Sequence, residues 1–257
     1  MIRVGPHLPA PRLGESDWRR FYEQEAALYD RSRYGGRYGL VFQQLHQEEV
    51  AALLGPYPRG RALEVAAGTG QTTALIASMG FDLTSIDLTG AMLVRARERL
   101  GAQRLRARWS LGSAFSLPFA DGTFPFVVST RFLHLWPPPE QRALLAEMTR
   151  VLAAGGILLL DFDNWWHRVA LALPIRAYQL LPGKGRRVAE HYNRLGPTVA
   201  MAEECGLRVA RVRGVGGYHL IVPALWSQRL ALHLGRAHAV RPWRVLAEQF
   251  LLLAEKA

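Results

Sequence analysis

The stretch LEVAAGTGQTT, residues 63–73, restricts this 257-residue chain more than any other. A short apolar run carries an acid, Glu64, and is followed closely by Gly68 and Gly70. Glycines so placed mark a strand-to-helix turn where main chain can approach a ligand, because no Cβ intervenes. A dinucleotide-binding turn would place a third glycine where Thr73 stands, and it has no need of the acid. A carboxylate at this strand end suits a ligand with a cationic ammonium group better than a pyrophosphate. Asp87 ends the next apolar run, 19 residues after Gly68. A carboxylate there can accept both hydroxyls of an adenosine ribose.

The pattern around this turn predicts alternating strands and helices. RALEVA reads as a strand, TTALIASMG as a helix with a terminal glycine, FDLTSIDL as a strand and AMLVRARERLG as a helix. ARWSLG and FPFVVST follow as strands, EQRALLAEMTRVLAAGG as a helix and ILLLDF as the fifth strand. Such alternation implies an α/β fold, a mostly parallel sheet with helices on both faces. Ligands bind outside the carboxyl ends of such strands, which singles out residues 64–70, Asp87, 113–115 and 130–134. Before this core, SDWRRFYEQEAALYD predicts a helix capped by Ser16 or Asp17, and a second helix runs to Leu54. Beyond it come a helix, GPTVAMAEECG, a strand, LRVARVRGV, a mostly helical stretch and a final strand, QFLLLAEK. The expected organisation is a helical cap over 1–58, a ligand-binding core over 59–163, and the rest of the same domain over 164–257, with a helical lid insertion at about 214–248.

Composition narrows the function classes. Hydrophobic residues make up 49% of the chain, yet its apolar runs are too short to span a bilayer, and its N-terminus lacks a signal-peptide core. A cytoplasmic protein is expected. The net charge of +11 would ordinarily suggest nucleic acid, but nearly all of it is arginine, spread along the chain without a nucleic-acid motif. That argues against such a partner. One cysteine, Cys205, excludes an internal disulfide and a thiolate zinc site, and the eight histidines form no metal-ligand pattern.

Four motifs, LEVAAGTG, LTSIDLTGAMLVRARER, GSAFSLPFADGTFPFVVSTRFLHLW and LLAEMTRVLAAGGILLLDF, resemble in order and spacing those of class I S-adenosylmethionine-dependent methyltransferases. The subgroup of ubiquinone/menaquinone-biosynthesis and small-molecule methyltransferases is the most similar. The resemblance implies a Rossmann-like seven-stranded sheet with the last strand antiparallel and inserted between its neighbours. It implies S-adenosylmethionine as cofactor, with Glu64, Ala66, Gly68 and Gly70 along its methionine part and Asp87 on the ribose. Leu88 and Met92 would flank the adenine, Ser113, Ala114 and Phe115 would meet its edge, and Thr130 and Arg131 would lie near the sulfonium. Tyr29 and Tyr34 would close the pocket from an N-terminal segment. Three departures stand out: Ala66 replaces the first glycine of the turn, Ser113 an acid that accepts from the adenine amino group, and Pro125 an acid at the fourth strand.

On the acceptor side the resemblance implies His134 as the best-placed base, against the plainer reading of a histidine that anchors its loop. Trp165 and Trp166, in NWWH after the fifth strand, read as a substrate wall or as packing. The expected acceptor is a small, lipophilic or natural-product molecule. VPALWSQRLALHLGRAHA mixes apolar residues with arginine, which suits core packing first and a lid in peripheral contact with a membrane second. The rival readings are a nicotinamide-dependent oxidoreductase, disfavoured by Thr73 and Glu64, and a non-catalytic S-adenosylmethionine-binding protein.

Overall fold

The computed structural model describes residues 13–170, 191–239 and 243–257. Its centre is one seven-stranded sheet: β1 (Arg61–Val65), β2 (Asp82–Asp87), β3 (Arg108–Leu111), β4 (Phe124–Ser129), β5 (Leu152–Asp163), β6 (Leu207–Val215) and β7 (Gln249–Lys256). Their order is β3-β2-β1-β4-β5-β7-β6. β1 to β5 pair in parallel, and β7 runs antiparallel to both of its neighbours. Among the described residues the helices are α1 (Glu15–Glu25), α2 (Tyr29–Tyr34), α3 (Arg37–Leu54), α4 (Gln71–Ser78), α5 (Gly90–Ala102), α6 (Pro138–Val151), α7 (Trp165–Ala170), α8 (Leu195–Glu204), α9 (Ile221–Trp226) and α10 (Gln228–His238).

Burial on both faces explains why the central strands read as unbroken apolar runs. Along β5, Leu158, Leu160 and Phe162 join one apolar cluster, with Leu144, Met148 and Trp18. Ile157 and Leu159 join the other, with Val41, Leu45 and Ile76. β7 divides in the same way, with Phe250 and Leu252 on the first face and Leu251 and Leu253 on the second. Each fully buried leucine stabilises the fold by about 1.5–3 kcal/mol.

The predicted α/β sheet forms with every strand in place, and three details differ. The predicted first helix divides into α1 and α2 around residues 26–28. Its N-cap is Gly14, not Ser16 or Asp17; the Asp17 carboxylate instead accepts the Gly14 N–H at 3.1 Å. β5 starts at Leu152, ahead of ILLLDF, and its ladder with β4 is irregular between Phe124 and Phe126. The helical insertion begins only after β6 ends at Val215, and comprises α9, α10 and short 3-10 turns at Tyr218–Leu220 and Trp243–Leu246.

Pairing of Gln249 with both Asp163 and Val215 puts the start of β7 beside the ends of β5 and β6. The insertion therefore leaves and rejoins the sheet at the carboxyl end of its parallel strands. No helix among the described residues is long and apolar enough to cross a membrane.

Candidate functional site

The turn after β1 is held by the acids on either side of it. Ala66, Gly68 and Gly70 all have positive φ, at 62°, 54° and 76°. A Cβ on Gly68 would meet nothing within 4 Å, so the turn presents bare main chain to open space. A Cβ on Gly70 would stand 2.7 Å from that of Ala96, so glycine is required there by the close approach of α5. Asp87 clamps the turn: one carboxylate oxygen accepts the Gly68 N–H at 2.8 Å, the other the Thr89 N–H at 2.9 Å. Burial pushes its pKa above the ordinary carboxylate value. Glu64 is 2% exposed, and one of its oxygens accepts hydroxyls from Thr73 at 2.5 Å and Ser85 at 2.9 Å. Burial outweighs these donors and raises its pKa to about 7.

The two acids face one cleft. Ala66 and Gly68 line it from the turn, and Leu88 and Met92 from the segment after β2. Ala114, Thr130, Arg131 and Tyr29 complete the sequence-predicted part of its wall. Tyr34 lies behind this wall, with the Arg131 guanidinium 4.8 Å from its ring centroid. Arg131 has φ of 56°, and its N–H donates to Asp161 at 2.6 Å, whose other oxygen lies 3.1 Å from His46 Nε2.

The remaining predicted residues stand apart from the cleft lining. Gly70 caps α4 and packs on α5. The Ser113 hydroxyl donates to Glu15 and accepts the Phe115 N–H at 3.0 Å, and the Phe115 ring meets Trp136 edge-on. His134 sits half-buried in the 3-10 turn Leu133–Leu135, and its carbonyl accepts the His191 N–H at 2.7 Å. The wall passes through Leu135 instead. Trp165 and Trp166 pack edge-on at 4.8 Å, with the Arg194 guanidinium 3.9 Å from the Trp165 centroid.

Several wall residues escaped the sequence reading. Trp18 and Tyr22 reach the cleft from α1, Trp136 from beyond β4, and Gln71 and Thr72 from α4. The i, i+4 spacing of Trp18 and Tyr22 on one helix face was their signal. Burial pushes the Tyr22 hydroxyl far above its usual pKa. The helices that carry these aromatics are pinned by charge. Glu23 accepts the Gly90 and Ala91 N–H groups, at 3.1 and 3.3 Å, at the start of α5. Asp30 pairs with Arg99 and accepts from Thr69 at 2.7 Å and Gln71 at 2.9 Å.

A parallel sheet with its last strand reversed between the fifth and sixth, and a glycine turn set between two buried acids, defines the class I methyltransferase fold. Residues 62–156 match the family described as methyltransferase domain. An uncharacterized protein of Mycobacterium tuberculosis is 35% identical over 122 residues, which cover 44% of either chain, so the match spans less than half of that relative's length. A ubiquinone/menaquinone biosynthesis C-methyltransferase of Cupriavidus taiwanensis is 28% identical over 73% of this chain and 79% of its own. Among solved structures, the magnesium protoporphyrin IX methyltransferase of Synechocystis, crystallised with S-adenosylhomocysteine, has a TM-score of 0.70 at 14% identity, covering 95% of this chain and 100% of its own. The [4+2]-cyclase SpnF has a TM-score of 0.68 at 19% identity, covering 97% and 98%. Residues 62–156 thus carry a methyltransferase domain, and the whole fold is similar to that of class I S-adenosylmethionine-dependent methyltransferases.

Proposed function

We propose that this protein transfers the methyl group of S-adenosylmethionine to a small, apolar acceptor. The observation that carries the reading is the meeting of Glu64, the bare Gly68 turn and Asp87 in one cleft. These donors suit the cofactor. Asp87, already fixed by two main-chain N–H groups, accepts the ribose hydroxyls. The ionised form of Glu64 favours the cofactor's α-ammonium group, and Gly68 admits the cofactor against the main chain. Leu88, Met92 and Ala114 flank the adenine.

When bound, the cofactor supplies an electrophilic methyl on a sulfonium. This chain supplies alignment and exclusion of water. Trp18, Tyr22, Phe132 and Trp136 form an aromatic wall that an apolar acceptor fits better than a sugar phosphate does. Holding acceptor and methyl in line contributes several kcal/mol, on the order of 7 or more in favourable cases. His134 anchors its loop through its main-chain carbonyl and does not line the cleft. The relative named for quinone methylation supports an apolar acceptor.

Calorimetric titration with S-adenosylmethionine, S-adenosylhomocysteine and NADH tests the reading. The first two bind and NADH does not; binding of NADH alone overturns it. Formation of S-adenosylhomocysteine in the presence of apolar acceptors separates an enzyme from a binding protein.

A further inference from the structure

The chain's charge is concentrated in one region. Residues 164–247 hold 13 Lys and Arg against three Asp and Glu, so they carry +10 of the net +11. No acid occurs between Glu204 and Glu248. The same region carries most of the exposed apolar surface. Of the twelve large apolar side chains exposed among the described residues, eight lie on α7, α9, α10 and the turn Trp243–Leu246. Trp226 is 85% exposed, Val222 62% and Leu225 57%, all on α9. Leu230 on α10 and Val245 and Leu246 on the turn extend the patch.

The fold explains why these residues face outward. α10 buries Ala231 and Leu232, and its Gly235 sits so close to α3 that an added Cβ would stand 2.3 Å from Leu45. That packing leaves Arg229, Leu230 and His233 on the outer side. Arg37 ties α9 to α3 by donating to the Leu225 carbonyl at 2.6 Å. Arg229 forms no ion pair with a described residue, whereas Arg236 is paired with Glu48. All four elements are connected at the sheet end where β1, β2 and β4 deliver the cleft residues.

We infer that this face is a docking surface for an anionic lipid bilayer, with Trp226, Leu225, Val222 and Leu230 entering the interface and Arg229 beside them meeting the headgroups. An exposed tryptophan with aliphatics on a short helix beside cationic side chains is the composition of an interfacial contact. The acids that approach this region from α3, Glu48 and Glu49, are engaged by Arg236 and Arg213, which lessens the repulsion that an anionic surface would otherwise exert. The surface does not depend on the cofactor reading. Its link to the cleft, that an apolar acceptor enters from the bilayer, does rest on that reading.

The test is co-flotation of the full chain, without cofactor, with phosphatidylcholine vesicles that contain or lack phosphatidylglycerol. Binding is expected to be about tenfold stronger with the anionic lipid, and to weaken at high salt as the charges are screened. Trp226→Ser together with Leu225→Ser should lower it about tenfold, and Arg229→Glu several-fold, with circular dichroism unchanged. Absence of flotation with anionic vesicles at low salt overturns the proposal, as does full binding by the Trp226→Ser, Leu225→Ser variant. A concentration-dependent dimer that the same variant abolishes would assign the face to a second copy of the chain. Displacement from vesicles by duplex DNA with retention of binding by that variant would assign it to nucleic acid.

Discussion

Replacing Glu64 with glutamine removes an ionisation that the fold holds far from its ordinary range. Burial raises the carboxyl pKa to about 7, against 4.5 for a free glutamate. Below about 4.5 the group is protonated in both folded and unfolded chains, and it contributes no pH dependence. Between about 4.5 and about 7 the unfolded chain releases a proton that the folded chain keeps, so stability falls as pH rises. Above about 7 both states are ionised and the loss is complete. At about 1.4 kcal/mol per pH unit, the whole window is worth at most about 3.5 kcal/mol. Both hydroxyl donors, from Thr73 and Ser85, converge on a single oxygen of Glu64, so the amide oxygen of glutamine can accept them in its place. The variant should therefore fold. In urea unfolding from about pH 5 to about pH 8, Glu64→Gln should gain about 2–3 kcal/mol on the parent chain, with the gain developing toward neutral pH. Calorimetry should find the parent binding S-adenosylmethionine more tightly as pH rises through about 7, and the variant binding weakly without that trend. Stability curves that stay parallel across the range would refute the reasoning, since they would mean that the ionisation is not linked to folding.

Asp87→Asn leaves one oxygen for two main-chain donors and withdraws the charge from the ribose site, so S-adenosylmethionine affinity should fall by about 1.5–3 kcal/mol in calorimetry. An unchanged Kd in a folded variant would mean that the ribose lies elsewhere. Gly70→Ala should destabilise the protein by more than about 1 kcal/mol in thermal unfolding, because φ is 76° there and the new methyl would collide with Ala96. An equal Tm would show that α5 can yield at that point.

Much of the cleft was legible in the chain because its signals are local. Glu64 and Asp87 stand at strand ends defined by apolar runs, and Gly68 and Gly70 sit in the turn between strand and helix. Ten of the fourteen residues that the resemblance marks as cofactor-binding line one cleft. Ser113 shows where local signals stop. It occupies its place beside Ala114, but its hydroxyl is engaged by Glu15 from a helix 98 residues earlier, a partner that no pattern near Ser113 announces.

The sequence by itself determined the alternation of strands and helices, the glycine turn and the two acids, because residue period, turn chemistry and chain punctuation act over a few neighbouring residues. The resemblance, and not periodicity, supplied the place of the last strand. Only the tertiary structure decided which aromatics wall the cleft, that Trp18, Tyr22 and Trp136 do so while His134, Trp165 and Trp166 stand outside it. It alone joined His46 to Asp161 across 115 residues, behind the main-chain bend at Arg131. Such choices depend on how the surfaces of distant elements pack, and close packing selects partners by shape and charge in three dimensions, without leaving a signature in the local order of residues.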